Sequence, residues 1–304
     1  MTALASPEPV IADRSPGAGH LLAPFAALLL AAAAAGATYH VFVRIPLGQQ
    51  VDTGAMRGGD VQHPRVVEIL SRTLNGTTLA SLVLVCLAAA AIGILRKRLD
   101  LAVGASLLVL GANASTQLLK TQLTRPDLDG FPAPNSFPSG HTAAAASVAF
   151  ALILVLPAAV RGTVALIGAG YVTVIAIATV WAEWHRPSDT VAALLIVLAW
   201  GSLASFGVRV RRFRTAGTSR RPSRVASLPL VAVGAVTGAA ALLGLVAVAL
   251  SERVGPDLAS GRFAFLVGSA GITAAVAGTF LLWSRLAADR PPATDTPPPP
   301  GGIE

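Results

Sequence analysis

The chain is short of charge. Asp, Glu, Lys and Arg make up 12% of its 304 residues, hydrophobic residues make up 54%, and the mean hydropathy is +0.67. A soluble globular domain carries about a quarter charged residues, so this composition excludes one and indicates an integral membrane protein. Cysteine is almost absent. The single Cys86 stands inside an apolar run, which excludes an intrachain disulfide and a thiolate metal site and leaves it as a small buried hydrophobe. Lysine is scarce as well: Lys97 and Lys120 are the only two, and arginine is the cation everywhere else. A lysine at 120 therefore stands out. The net charge of +8 would raise nucleic acid as a partner of a soluble protein. Here the cations sit between apolar runs, where orientation in a bilayer accounts for them, and no nucleic-acid partner is expected.

What the chain does have is a succession of apolar runs. Residues 1–20 are polar and lack the basic stretch and cleavage site of a signal peptide, so a disordered cytoplasmic tail is expected. Runs at about 21–43, 77–95, 101–119, 141–160, 162–181, 188–208, 228–250 and 263–286 are each apolar enough to span a bilayer. The expected fold is an all-α polytopic membrane bundle. Residues 21–208 form a six-span core, 209–227 a basic cytoplasmic loop, 228–286 a two-span extension and 287–304 a Pro-rich tail. Residues 44–76 read as a polar loop, with Val66, Val67, Leu70 and Leu74 spaced for a short helix on the membrane surface. Arg96-Lys97-Arg98 and the arginines of 209–224 fall on one side, which holds the majority of the 23 Lys and Arg residues. That side is expected to be cytoplasmic, with both termini, and to touch inner-leaflet lipid. Tyr39, His40, Trp181 and Trp184 read as interfacial residues.

Between residues 120 and 189 the apolar pattern is interrupted by polar groups at the ends of runs, and such groups in a bilayer protein mark a functional site. Ser139 is placed to cap a helix, Gly140 lets backbone N–H groups approach a ligand, and His141 opens the following run. A helix start of this kind suits an anion. Pro187 fits a first helical turn, which puts Asp189 in that turn and leaves His185 just outside it. Asp189 then reaches back to the imidazole, as the orienting acid of a catalytic triad does. Asp127 and Asp129, close to Arg125, read as solvated loop residues, and Glu183 either tunes His185 or faces water.

Lys120 with Arg125-Pro126, then Pro138-Ser139-Gly140-His141, then His185 and Asp189 resemble the three motifs of the type-2 phosphatidic acid phosphatase superfamily, over roughly residues 77–207. Two departures stand out. Four residues separate Lys120 from Arg125, where the family usually has six, and the Ser-Arg pair that opens the third motif falls on Ala178 and Thr179. The resemblance implies a membrane lipid phosphatase with an extracytoplasmic site, needing neither metal nor cofactor. His185 would be the nucleophile and form a phosphohistidine, Asp189 would orient it, and His141 would protonate the leaving lipid oxygen. Lys120, Arg125, Ser139 and Gly140 would hold the phosphate. Arg186, the cation nearest the nucleophile in sequence, is the first candidate to replace the missing arginine, followed by Arg57, Arg65 and Arg72. The implied substrate is a phosphate or diphosphate of an isoprenoid or glycerol lipid, with a polyprenyl diphosphate first. A phosphoryl transferase, or a non-catalytic lipid-phosphate binder or transporter, are the alternatives. Thr179 and the two extra spans motivate the binder or transporter.

Overall fold

A backbone polar group left unbonded in hydrocarbon costs several kcal/mol, so apolar runs in a bilayer close their hydrogen bonds as helices. The computed structural model describes residues 19–59, 68, 72, 79–212, 224–255 and 260–287. Among these, all regular structure is helical: α1 (Gly19–Val43), α2 (Pro46–Arg57), α3 (Leu79–Leu95), α4 (Leu99–Gln122), α5 (Gly140–Val155), α6 (Ala158–Trp181), α7 (Pro187–Arg212), α8 (Arg224–Val254) and α9 (Gly261–Ala287). Six of them are long and apolar enough to cross a membrane, and the protein is a multi-pass helical membrane protein. The expected tails and most of the 64–74 surface helix lie outside the described residues. Of that helix Glu68 and Arg72 are seen, paired at 2.7 Å one turn apart.

Each expected span has its helix, with two differences. The run expected over 141–160 stops at Val155, because Pro157 caps α6 and holds Leu156 in extended geometry. The second difference is α2, which lies inside what composition marks as a polar loop. Ile45 is extended, Pro46 takes the first helical position, and Val51 and Ala55 pack with Val248 of α8 and Ala264 of α9. Backbone meets backbone at both ends of α2. A Cβ on Gly48 would lie 1.9 Å from the Val41 carbonyl oxygen, and one on Gly58 would lie 1.7 Å from that of Gly261. Only glycine permits this seat.

The centre of the bundle is α5, whose Ala143, Ala146, Phe150 and Ala151 are all fully buried. Small side chains let helices approach closely, and packing rather than water exclusion holds helices together in lipid. The last helix joins this core. The Trp283 ring stacks on Phe150 with centroids 5.1 Å apart and planes 6° from parallel, an arrangement worth about 1 kcal/mol beyond its area, and its indole N–H donates to the Phe150 carbonyl at 3.1 Å. By contrast α8 presents Leu228, Leu242, Leu243 and Val236 outward.

Arginines close the helix ends at one end of the bundle. Arg161 donates to Leu156 at 2.9 Å, Leu154 at 3.2 Å and Ala287 at 3.1 Å. Arg209 donates to Leu286 at 2.7 Å, and Arg96 to Val155. These are the orphan carbonyls of helix C-termini, where cations are also favoured by the dipole. Residues 44–59 and 122–139 and the 182–186 turn gather at the opposite end.

Candidate active site

The site is built from the turn between α6 and α7. Glu183 adopts the left-handed region with φ 57°. Its N–H donates to Val180 O at 2.9 Å and that of Trp184 to Thr179 O at 3.0 Å, the bonding pattern of a helix closed by a left-handed residue. The His185 N–H also donates to Thr179 O, at 3.2 Å. Thr179 is fully buried and its hydroxyl donates to Ala176 O at 2.8 Å. The position that lacks the family arginine thus anchors the backbone of His185 and sends no side chain to the site. Glu183 is exposed and faces water. Glycine is the usual residue in this conformation, so Glu183→Gly is expected to stabilise the protein by about 1 kcal/mol, seen as a higher unfolding midpoint in detergent; an unchanged or lower midpoint would contradict the cap reading.

Asp189 gathers the site. Its Oδ1 accepts from Arg125 Nη2 at 2.8 Å, and its Oδ2 accepts from Ser136 Oγ at 2.5 Å and from the Arg186 N–H at 3.0 Å. His185 Nδ1 lies 3.5 Å from the same Oδ2, long for a hydrogen bond, as such contacts often are before substrate binds. Nδ1 therefore faces the carboxylate, and Nε2 is the nitrogen left to face a substrate. The Ser139 N–H donates to the Asp189 carbonyl at 2.9 Å, which ties the Pro-Ser-Gly-His turn to the first turn of α7. Ser139 caps α5, accepting from the Thr142 N–H at 3.3 Å. The His141 ring then stands 6.2 Å from the His185 ring and 5.6 Å from the Trp184 ring, centroid to centroid. Trp184 thus packs at the site, while the Trp181 indole donates to Gly59 O at 2.8 Å.

Arg125 is the most telling side chain. It is 3% exposed and paired with Asp189, yet its Nε and Nη1 are buried and have no hydrogen-bond partner. Unmet donors on a buried cation cost several kcal/mol, unless a ligand supplies the acceptors. Arg125 and Arg186 both line a cavity of about 400 Å³, with Gln49, Asp127, Asp129 and Phe131 among its other walls. Arg186 is 2% exposed, and burial and the neighbouring Arg125 push its pKa down, although a guanidinium stays charged. Of the other predicted residues, His141, His185, Asp189, Ser139 and Gly140 do not line this cavity; Asp189 is tied to it through Arg125 and the Arg186 N–H. Lys120 stands in the last turn of α4, with its carbonyl held by Asn135 at 3.1 Å. Among the described residues its ammonium reaches no partner in the site.

Sequence reasoning placed Asp129 in solvent. Its side chain is 3% exposed and accepts from Thr53 Oγ1 at 2.5 Å and from the Phe131 N–H at 3.1 Å. Asp127 is exposed and closes the turn to the Gly130 N–H at 2.9 Å. Missed altogether were Gln49, Asp52 and Thr53 on α2. Asp52 is 3% exposed and accepts from the Ser188 N–H at 3.0 Å and from its hydroxyl. Burial and then the charge of Asp189 push the Asp52 carboxyl up to about 7, against the hydrogen bonds from Ser188 and the charge of Arg125. The sign follows directly. With the folded pKa above the ordinary value, the folded state holds a proton that the unfolded chain releases between about pH 4 and 7. Stability from this group is present at low pH and lost as pH rises through 7. Asp52→Asn is therefore expected to raise the unfolding midpoint at pH 8 and leave it unchanged at pH 4; a gain of equal size at both pH values would contradict the assignment.

Residues 110–213 match the PAP2 superfamily. The match covers about a third of the chain, and over this segment the chain is similar to that superfamily. No curated protein and no solved structure matches the chain. The PAP2 segment runs from α4 to the end of α7 and carries all the predicted site residues. It leaves α1, α2, α3, α8 and α9 outside, so the α2 side chains that reach the site come from beyond it. A match to the PAP2 superfamily suggests phosphatase or phosphoryl-transfer chemistry on lipid phosphates in a membrane protein.

Proposed function

We propose that the protein hydrolyses a phosphomonoester or diphosphate of an isoprenoid or glycerol lipid through a phosphohistidine on His185. One observation carries this reading. Asp189 links His185 to Arg125, and Arg125 lines a cavity while two of its buried nitrogens have no hydrogen-bond partner. A phosphate supplies acceptors of the right charge and geometry for such a fork.

In the first step His185 Nε2 attacks the terminal phosphorus, the P–N bond forms and the P–O bond to the leaving group breaks, a lipid alkoxide for a monoester or a lipid monophosphate for a diphosphate. The departing oxygen takes a proton from His141. In the second step a water attacks phosphorus and gives its proton to His141, the P–N bond breaks, and inorganic phosphate leaves. Asp189 fixes the tautomer of His185 and stabilises its positive charge. Arg125 and Arg186 face the charge on the non-bridging oxygens, Lys120 joins them only once the anion is bound, and Ser139 and the Gly140 N–H complete the cradle at the start of α5. The residues do this chemistry without metal or cofactor. Phosphate release from purified protein, screened across polyprenyl diphosphates and glycerolipid phosphates, tests the reading. Release is expected to survive EDTA and to be blocked by vanadate. Dependence on added divalent metal would overturn it, and transfer of phosphate to a second acceptor without release would favour the transferase alternative.

The same reading puts the site outside the cytoplasm. The arginine-closed end is the cation-rich one, and the rule that places such ends in the cytoplasm leaves Lys120, Arg125, His141, His185 and Asp189 on the other face. In a Cys86→Ser background, Asp127→Cys should react with an impermeant thiol reagent from outside intact cells and Arg211→Cys only after lysis. The reverse pattern would place the site inside.

A further inference from the structure

Helix α2 buries three polar side chains, Gln49, Asp52 and Thr53, at 1%, 3% and 5% exposure. Their spacing puts them on one face of the helix, and burying such groups is costly unless each is bonded. Each is bonded, and apart from one Gln49 bond to the Val43 carbonyl at 2.7 Å every bond goes to a segment of the site. Gln49 donates to Pro126 O at 2.8 Å and accepts from the Leu128 N–H at 3.1 Å, which holds the chain just after Arg125. Asp52 holds Ser188, between Arg186 and Asp189. Thr53 accepts from Arg186 Nε at 2.8 Å and donates to Asp129 Oδ2 at 2.5 Å. Because the hydroxyl proton goes to Asp129, a lone pair is fixed toward the guanidinium. Asp129 Oδ2 itself lies 4.0 Å from Arg186 Nη2. The Arg186 guanidinium is thus held from its Nε side, and its side chain lines the cavity beside Arg125.

We propose that Thr53, with Asp129 behind it, is a positioning residue that aims Arg186 at the phosphate, so that a helix outside the PAP2 segment supplies the setting for the cation that Thr179 no longer provides. This deepens the phosphatase reading and rests on it for the identity of the anion. A merely structural Thr53 and a positioning Thr53 differ in one respect: the positioning effect exists only while Arg186 is present.

The test is a double-mutant cycle of Thr53→Val and Arg186→Ala in the full-length protein. It is read on kcat for a lipid phosphate and, independently of turnover, on the Kd of inorganic phosphate. Loss of one oriented charge contact is expected to lower kcat about a hundredfold for Arg186→Ala, and its misalignment to lower kcat about tenfold for Thr53→Val. The double variant should be no worse than Arg186→Ala alone, and Thr53→Ser should restore most of what Thr53→Val loses. Should Thr53→Val fail to fold in detergent, Thr53→Ala, which adds no bulk, carries the same cycle. Wild-type kcat and Kd in either single variant, or losses that multiply in the double variant, would overturn the proposal. If the wild type binds phosphate with this pattern and releases none from lipid, the positioning role stands and the hydrolase reading falls.

Discussion

His185→Ala is expected to lower phosphate release by about 10⁴-fold or more, the scale seen when a nucleophile acting as part of a catalytic unit is removed. The fold is expected to survive. Asp189 keeps Arg125, Ser136 and the Arg186 N–H as partners, so no buried carboxylate is stranded, and the imidazole contributes only the 3.5 Å contact. Asp189→Ala is a different case, since it would strip Arg125 of its charge-assisted bond to Asp189 and leave a buried cation, at a cost of about 3–5 kcal/mol. Comparing the two variants separates loss of chemistry from loss of structure. Near-normal release with His185→Ala, alongside an unchanged unfolding midpoint, would remove His185 from the mechanism.

The second large effect concerns His141. A positioned general acid contributes about 10²–10⁴-fold when the leaving group is a poor one, and a lipid alkoxide is poor. His141→Ala is expected to lose that much in kcat/KM on a lipid phosphate. On p-nitrophenyl phosphate, whose leaving group departs without a proton, the loss in kcat/KM should shrink to about tenfold or less. Equal losses on both substrates would mean that His141 binds phosphate or shapes the turn instead. His141 is given that proton by the family resemblance, and its place at the start of α5, 6.2 Å from His185, is compatible with it.

Much of this was legible in the sequence because the site lies at helix ends. A proline at the first position of α7 fixes where Asp189 falls, and a serine cap fixes where His141 falls. Both signals act over one turn of chain, so they survive into the fold unchanged. The spans were legible for the same reason, being set by local hydropathy. What escaped was long-range. Composition around α2 reads as a loop because Gln49, Asp52 and Thr53 are polar, and only their partners at Pro126, Ser188 and Arg186, distant in sequence, make a buried helix of them. Asp129 reads as a solvated residue because nothing near it in sequence shows that Thr53 covers it. The signal that could have found α2 was Ile45-Pro46, an extended residue and a helix-starting proline, followed by Val51 and Ala55 one turn apart. The integration of α9 had no local signal at all, since Trp283 meets Phe150 across the bundle.

Capture of the covalent intermediate tests the central claim most directly. Protein mixed with a lipid phosphate labelled on phosphorus and quenched in alkali within one turnover should carry one label per active site. The label should be stable to base, lost in acid and mapped to the peptide containing His185. It should be absent from His185→Ala. No labelled protein in a turnover that releases phosphate, or label on Ser139 or any residue other than His185, would contradict the phosphohistidine mechanism.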